Sequence, residues 1–245
     1  MTILFPVRDR VASARLWATV LPAPFTPAGA VVARASDLLW SGVDIIDVDL
    51  SDWNRADAVA LVRVLVGLTR RPEVFVAVDS DASLAEEAGV EVLLLAPAQT
   101  TSGLPGWLPA RGALVRRVTD PGAVQTAMRE RGIDAVIVPG DPRSVGAAEA
   151  DDRRAWFADL GAGWTDPAVL PQVACRLHID VAVPADSPEK PVTRLREDVA
   201  ALVARQHALR GIGAFGEAAR AIRPWVRAVT GAFERVVEAA RGFVR

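Results

Sequence analysis

Eight short apolar runs, each followed by a stretch of helical spacing, tile this chain from end to end. The runs are Leu16–Leu21, Val43–Leu50, Val74–Val78, Val90–Ala96, Ala113–Val118, Asp134–Val138, Ile179–Val183 and a short Leu209–Phe215. Helix-like segments fill the intervals. They cover about Pro27 to Trp40, a stretch carrying Ala58, Leu61, Val62, Leu65 and Val66, Asp81 to Gly89, Asp120 to Gly132, Ser144 to Leu160, and Val192 to Ala208. Strands separated by helices must pair in parallel through crossovers, and eight such units predict a (β/α)8 barrel. Its length, 245 residues, suits that fold, which takes roughly 250. One domain over 1–245 is expected, extended by an amphipathic C-terminal helix over 217–245.

Composition narrows the partners and the compartment. A net charge of −2 offers no electrostatic attraction to nucleic acid. The single cysteine, Cys175, excludes a disulfide framework within the chain and a multi-cysteine metal site. A reducing, cytoplasmic setting follows from that cysteine usage. No run reaches about 18 apolar residues, so no membrane span is expected. Met1–Arg15 holds three basic residues and no sustained apolar segment, unlike a signal peptide. The last stretch sets Ile222, Trp225, Val229, Phe233, Val236, Val237 and Val244 at helical spacing against Arg227, Arg235 and Arg241. It is longer than one barrel flank can cover and is expected to bury itself in a homo-oligomer or against a protein partner; contact with a membrane surface is the alternative.

A barrel of this class keeps its chemistry at the C-terminal ends of its strands, and those ends read as mostly apolar here. The candidate ligand-binding residues are Asp49 and Asp52 after the second run, Asn54 and Arg55 beyond them, Asp79 at the end of the third, and Asp141 after Pro139-Gly140. Asp47 and Asp49 share a strand face because side chains alternate. Asp52 and Asp81 serve equally well as helix caps, and Pro139-Gly140-Asp141 as a plain turn. Asp79 and Lys190, the only lysine, are the catalytic candidates. His178 precedes the seventh run and His207 ends a helix, which places both at the opposite end of the barrel. Nothing calls for a metal or a cofactor.

The order of motifs resembles dihydropteroate synthase, the pterin-binding barrel of folate synthesis. Its Asn-Val-Thr-Pro-Asp-Ser-Phe motif is similar to Thr19-Val20-Leu21-Pro22-Ala23-Pro24-Phe25, and its Gly-Ala-Asp-Ile-Ile-Asp-Ile motif to Gly42-Val43-Asp44-Ile45-Ile46-Asp47-Val48. Its Ser-Ile-Asp-Thr is similar to Ala77-Val78-Asp79-Ser80, and its Asp-Pro-Gly to Val138-Pro139-Gly140. The resemblance implies a pterin site whose polar residues are largely replaced. The metal-binding Asn is Thr19 and the phosphate-binding Arg is Asn54, with Arg55 adjacent. The strand-four Asn and Asp are Leu94 and Leu95, the strand-six Asp is Val138, and the last strand's Arg and His are Gly213 and Phe215. Asp79 keeps its place, and Lys190 lies near the family's lysine. Each pterin donor or acceptor left unpaired would cost about 1–3 kcal/mol. A thiamine-phosphate-synthase-like barrel is a second match around strands three to six, without that family's basic and metal-binding residues. The expectation is a catalytically inactive dihydropteroate-synthase-like barrel, a folate-related pseudoenzyme with a binding or regulatory role. The alternative is an enzyme of changed specificity that acts on a small substrate, phosphorylated or pterin-like, through strand-end carboxylates.

Overall fold

Alternation along a strand sends one side chain inward and the next outward, and a closed barrel buries both faces. A computed structural model of the chain describes residues 7–69, 75–79, 81–102, 104–106, 112–150, 154–166, 168, 170, 175–190 and 192–210. Eight parallel strands close in sequence order: β1 Leu16–Pro22, β2 Ile45–Val48, β3 Phe75–Asp79, β4 Val92–Leu95, β5 Ala113–Arg117, β6 Ala135–Pro139, β7 Ala155–Asp159 and β8 Arg176–Val183. β8 pairs with β1 from Leu16↔Leu177 to Pro22↔Val183, and that seam shuts the barrel. All eight strands lie in a unit spanning Met1–Val203.

A helix that the sequence reading did not anticipate precedes the first strand, and the other helices follow strands. The helices are α1 Val7–Ser13, α2 Ala28–Trp40, α3 Arg55–Leu68, α4 Ala82–Ala88, α5 Val124–Arg129, α6 Pro142–Ala150 and α7 at 193–210. Asp120 caps a 3₁₀ turn that leads into α5, its carboxylate accepting from the Gly122 N–H. Gly89 ends α4 at φ 75°, a left-handed conformation that suits glycine.

Two apolar layers result. Outward residues such as Val20, Ile46, Leu93, Leu95 and Val136 pack beneath helix residues such as Leu38, Leu61, Leu65 and Met128. Inward residues Trp17, Ile45, Phe75, Val92, Leu94, Val115, Ile137 and Phe157 fill the lumen. Alternation therefore does put Leu94 inside and Leu95 outside. Val7, Val11 and Ala14, in and just after α1, join the luminal cluster. The helix plugs the N-terminal end of the barrel. Its Arg10 guanidinium stacks 3.9 Å from the Phe75 ring centroid, and the Ala12 carbonyl accepts from Arg176 at 2.6 Å.

The structure corrects three boundaries. The helix expected over Ser144–Leu160 stops at Ala150, and Ala155–Asp159 is a strand. Five residues are too few for period to separate helix from strand. The run at Ile179–Val183 is thus part of the eighth strand, and that strand begins at Arg176. Of the last strand expected at Leu209–Phe215, residues 209 and 210 are helical, and 211–215 lie outside the described residues. The helix expected over 217–245 also lies outside them.

Candidate functional site

The last inward position of several strands is polar, which overturns the reading of these strand ends as mostly apolar. Thr19 succeeds Trp17 on the inner face of β1, Asp47 succeeds Ile45 on β2, and Asp79 succeeds Ala77 on β3. Arg117 succeeds Val115 on β5, Asp159 succeeds Phe157 on β7, and His178 and Asp180 succeed Arg176 on β8. The result is a polar layer at the C-terminal mouth, directly above the apolar lumen.

Three of these groups form a chain across β7, β8 and β1. Asp159 Oδ1 lies 2.8 Å from His178 Nδ1, and His178 Nε2 lies 2.8 Å from Thr19 Oγ1. The imidazole is completely buried, while Asp159 keeps 17% of its side-chain surface. Arg117 donates to Asp159 Oδ2 from Nη2 at 2.9 Å and from Nε at 3.2 Å. The Gly161 N–H reaches Asp159 Oδ1 at 3.0 Å. Burial opposes ionisation of Asp159, but the His178 hydrogen bond and charge, Arg117 and the Gly161 N–H outweigh it. The carboxyl is held well below the usual range. An ionised Asp159 accepts the Nδ1 proton, and Nε2 of the same ring faces the Thr19 hydroxyl.

Asp47 shows the opposite balance. It is fully buried, and burial pushes its carboxyl up to about 6. Nearby His178, the Trp17 N–H and the Thr19 hydroxyl only partly offset that cost, and the charge of Asp79 adds to it. Trp17 Nε1 donates to Asp47 Oδ1 at 2.9 Å. Arg117 also faces Asp180, whose Oδ1 is 3.6 Å from Nη2 and has no hydrogen-bond partner among the described residues. Burial works against the Arg117 charge, yet Asp159, Asp180 and Asp47 together raise its pKa.

Beside this layer, at the ends of β2 and β3, lies a cavity of about 370 Å³. It brings together three sequence candidates, Asp49, Arg55 and Asp79, with Ser51, Trp53 and Asp81. Asp49 is exposed and Oδ1 accepts from the Ser51 N–H. Arg55 spans Asp81 and Glu87 at 3.1 Å each. Asp81 also caps α4 through the Leu84 N–H. Burial raises the Asp81 carboxyl, but that N–H, Ser83 and Arg55 outweigh it and leave it below the usual range.

Other candidates lie elsewhere. Asp52 is exposed and does not line the cavity. Asn54 caps α3, its side chain accepting from the Asp57 N–H at 3.0 Å. Asp141 accepts from the Ser144 hydroxyl at 2.7 Å and the Arg143 N–H at 2.8 Å, which makes it a helix-end anchor. The Ser144 hydroxyl and those backbone donors lower its carboxyl pKa. Lys190 is exposed in the loop after β8, not after a seventh strand. His178, expected at the far end of the barrel, sits in β8 in register with Trp17 and Asp159. Sequence reading missed Thr19, Arg117, Asp159, His178 and Asp180 as a group. The signal was parity: His178 and Asp180 stand two apart, and Arg117 and Asp159 each close a short apolar run.

Among the described residues, no group of three or more His, Cys, Asp and Glu side chains is arranged to hold a metal ion. No helix among them is long and apolar enough to cross a membrane. No known family's sequence profile matches the chain, and no curated protein is similar to it. Solved structures share its architecture. Thiamine phosphate pyrophosphorylase from Pyrococcus furiosus is 14% identical over 82% of this chain and 98% of its own, with a TM-score of 0.57. Tryptophan synthase from M. tuberculosis, in its open form, is 20% identical over 83% of this chain and 98% of its own, at 0.53. A designed cube-shaped, highly porous protein cage is 13% identical over 95% of this chain and 87% of its own, at 0.67. At these identities the likeness shows the barrel fold alone, and it does not single out dihydropteroate synthase.

Proposed function

We propose that this barrel is an enzyme carrying out general acid–base chemistry on a small molecule at its C-terminal mouth. The observation that carries the reading is the Asp159–His178–Thr19 chain, with 2.8 Å at both links. Asp159 stays ionised and fixes the ring, as the orienting carboxylate of a triad does. A substrate proton taken up at Thr19 Oγ1 passes on as Thr19 gives its own proton to His178 Nε2. Asp47, with its pKa of about 6, exchanges a proton near neutrality beside the same hydroxyl. Two carboxylates pushed in opposite directions are the usual basis for dividing acid and base roles. Phosphorylated substrates fit poorly. The layer holds Asp47, Asp79, Asp159 and Asp180, and its arginine already faces Asp159 and Asp180.

The test is proton exchange. Protein in D2O is incubated with small ketones, amino acids and hydroxy acids, and loss of carbon-bound protons is tracked by NMR. Exchange in one of these classes, abolished in His178→Ala and reduced in Asp159→Asn, is the expected result. Exchange that survives His178→Ala, or none in any class, overturns the reading.

A second reading is favoured by Leu94, which is buried in the lumen where the pterin-binding family carries a polar group. In that reading the chain is a catalytically inactive dihydropteroate-synthase-like barrel in the cytoplasm. It acts through protein contacts, as a homodimer or with a partner through 217–245. Phe25 and Trp40, both strongly exposed, are consistent with contacts of that kind. Micromolar pterin binding by calorimetry would contradict the loss of the pterin site.

A further inference from the structure

The cavity at the ends of β2 and β3 has the size and lining of a ligand site. Its volume of about 370 Å³ falls within the range of small-molecule pockets, roughly 300–1,000 Å³. One side is apolar, built by Val48, Leu50, Val78 and Leu84, with the half-buried indole of Trp53. Among the described residues, the polar side carries three carboxylates, Asp49, Asp79 and Asp81, and one guanidinium, Arg55. Arg55 already spans Asp81 and Glu87. The described lining residues thus carry a net negative formal charge, which favours a cation over an anion.

We infer that this cavity binds a small organic cation, an amine or protonated nitrogen heterocycle attached to a flat apolar body. The apolar body packs on Leu50, Leu84 and the Trp53 face. The cationic nitrogen stands between Asp49 and Asp79, with Trp53 offering the best aromatic face for a cation. The inference deepens the acid–base reading above and rests on it for the chemistry of the bound ligand. Asp79 lines the cavity and its charge acts on buried Asp47, so the two sites share one electrostatic field. A cation beside Asp79 offsets that charge and favours ionised Asp47 next to Thr19, which readies the proton chain when the cavity is filled.

The test uses probes of one body and different charge. Benzylamine, benzyl alcohol, benzoate and benzyl phosphate are titrated into the full chain by calorimetry. Benzylamine should saturate at least tenfold more tightly than either anion, with the alcohol between. Asp49→Asn and Trp53→Leu should each weaken benzylamine about tenfold; Asp49 is exposed and tolerates change, while Trp53 is half-buried against the core. Equal or tighter binding of benzoate or benzyl phosphate overturns the inference. So does benzylamine binding unaltered in both variants, or no saturation by benzylamine. His178→Ala separates the two proposals: it should abolish proton exchange and keep benzylamine binding. Exchange without benzylamine binding sinks the cation site alone. Benzylamine binding without exchange in any substrate class sinks the acid–base reading alone.

Discussion

The two ends of the barrel lumen are built from the same alternating strands and carry opposite chemistry. At the floor, Trp17, Ile45, Phe75, Val92 and Phe157 interdigitate, and α1 closes over them. Trp17 and Phe157 meet edge to face, with centroids 5.7 Å apart, a favoured aromatic geometry. Two residues further along the same strands, the inward positions become Thr19, Asp47 and Asp159. The floor is held by packing, which is strong and indifferent to pH. The mouth is held by hydrogen bonds among ionisable groups, which bring burial costs with them. Stability and chemistry are thus separated along one axis, and only the apolar end is free of titration.

The largest effect should come from the floor. Phe157→Ala removes a fully buried ring and should cost about 3–5 kcal/mol, measured by urea unfolding at any pH where the protein is folded. A cost below about 1 kcal/mol would mean that the lumen is not close-packed. The mouth should show a sign that the floor cannot. Folded Asp47 keeps its proton up to about pH 6, while an unfolded aspartate releases it near 3.8. The stability this carboxyl contributes is present below about pH 4 and is lost as pH rises through 6. Asp47→Asn, which does not titrate, should therefore gain on the native protein by about 2 kcal/mol between pH 4 and pH 7. A difference that stays constant over that interval would refute the burial cost. Asp159 runs the other way: held low, it stabilises above about pH 4, and that stabilisation fades as the solution is acidified further. The smallest effect is at the rim. Lys190→Ala should change stability by less than about 0.5 kcal/mol and leave proton exchange intact, whereas loss of exchange would return Lys190 to the site.

Much of the frame was legible from pattern. The first six strands fall where the apolar runs stand, and glycines at 42, 89 and 132 take the positive φ that ends helices. Asp79 lies at a strand end, and Leu94 faces inward. One omission displaced the rest. Ala155-Trp156-Phe157-Ala158-Asp159 carries no β-branched residue and comes directly after a helical stretch, so it read as helix. Dropping it promoted 209–215 to a strand and set His178 one residue outside the barrel. Asp49, Arg55 and Asp79 were found because each lies at or beyond a strand end that was correctly placed. Arg117 was missed for a different reason. An arginine closing a strand reads as solvated, and only closure of the barrel brings Asp159 and Asp180 around it.

The seam between β1 and β8 has a kinetic consequence. Thr19 and His178 are separated by 159 positions, so their hydrogen bond is among the most non-local contacts a chain of this length can make. Contacts of that kind form slowly, because a long loop must close before they repay its entropy. On a ribosome adding roughly 5–20 residues per second, the Thr19 hydroxyl waits some 8–30 s before its imidazole is even synthesised. Every shorter nascent chain lacks the proton chain altogether. Acquisition of activity would then report arrival of the final strand, a chemical clock for barrel closure written into the order of the sequence.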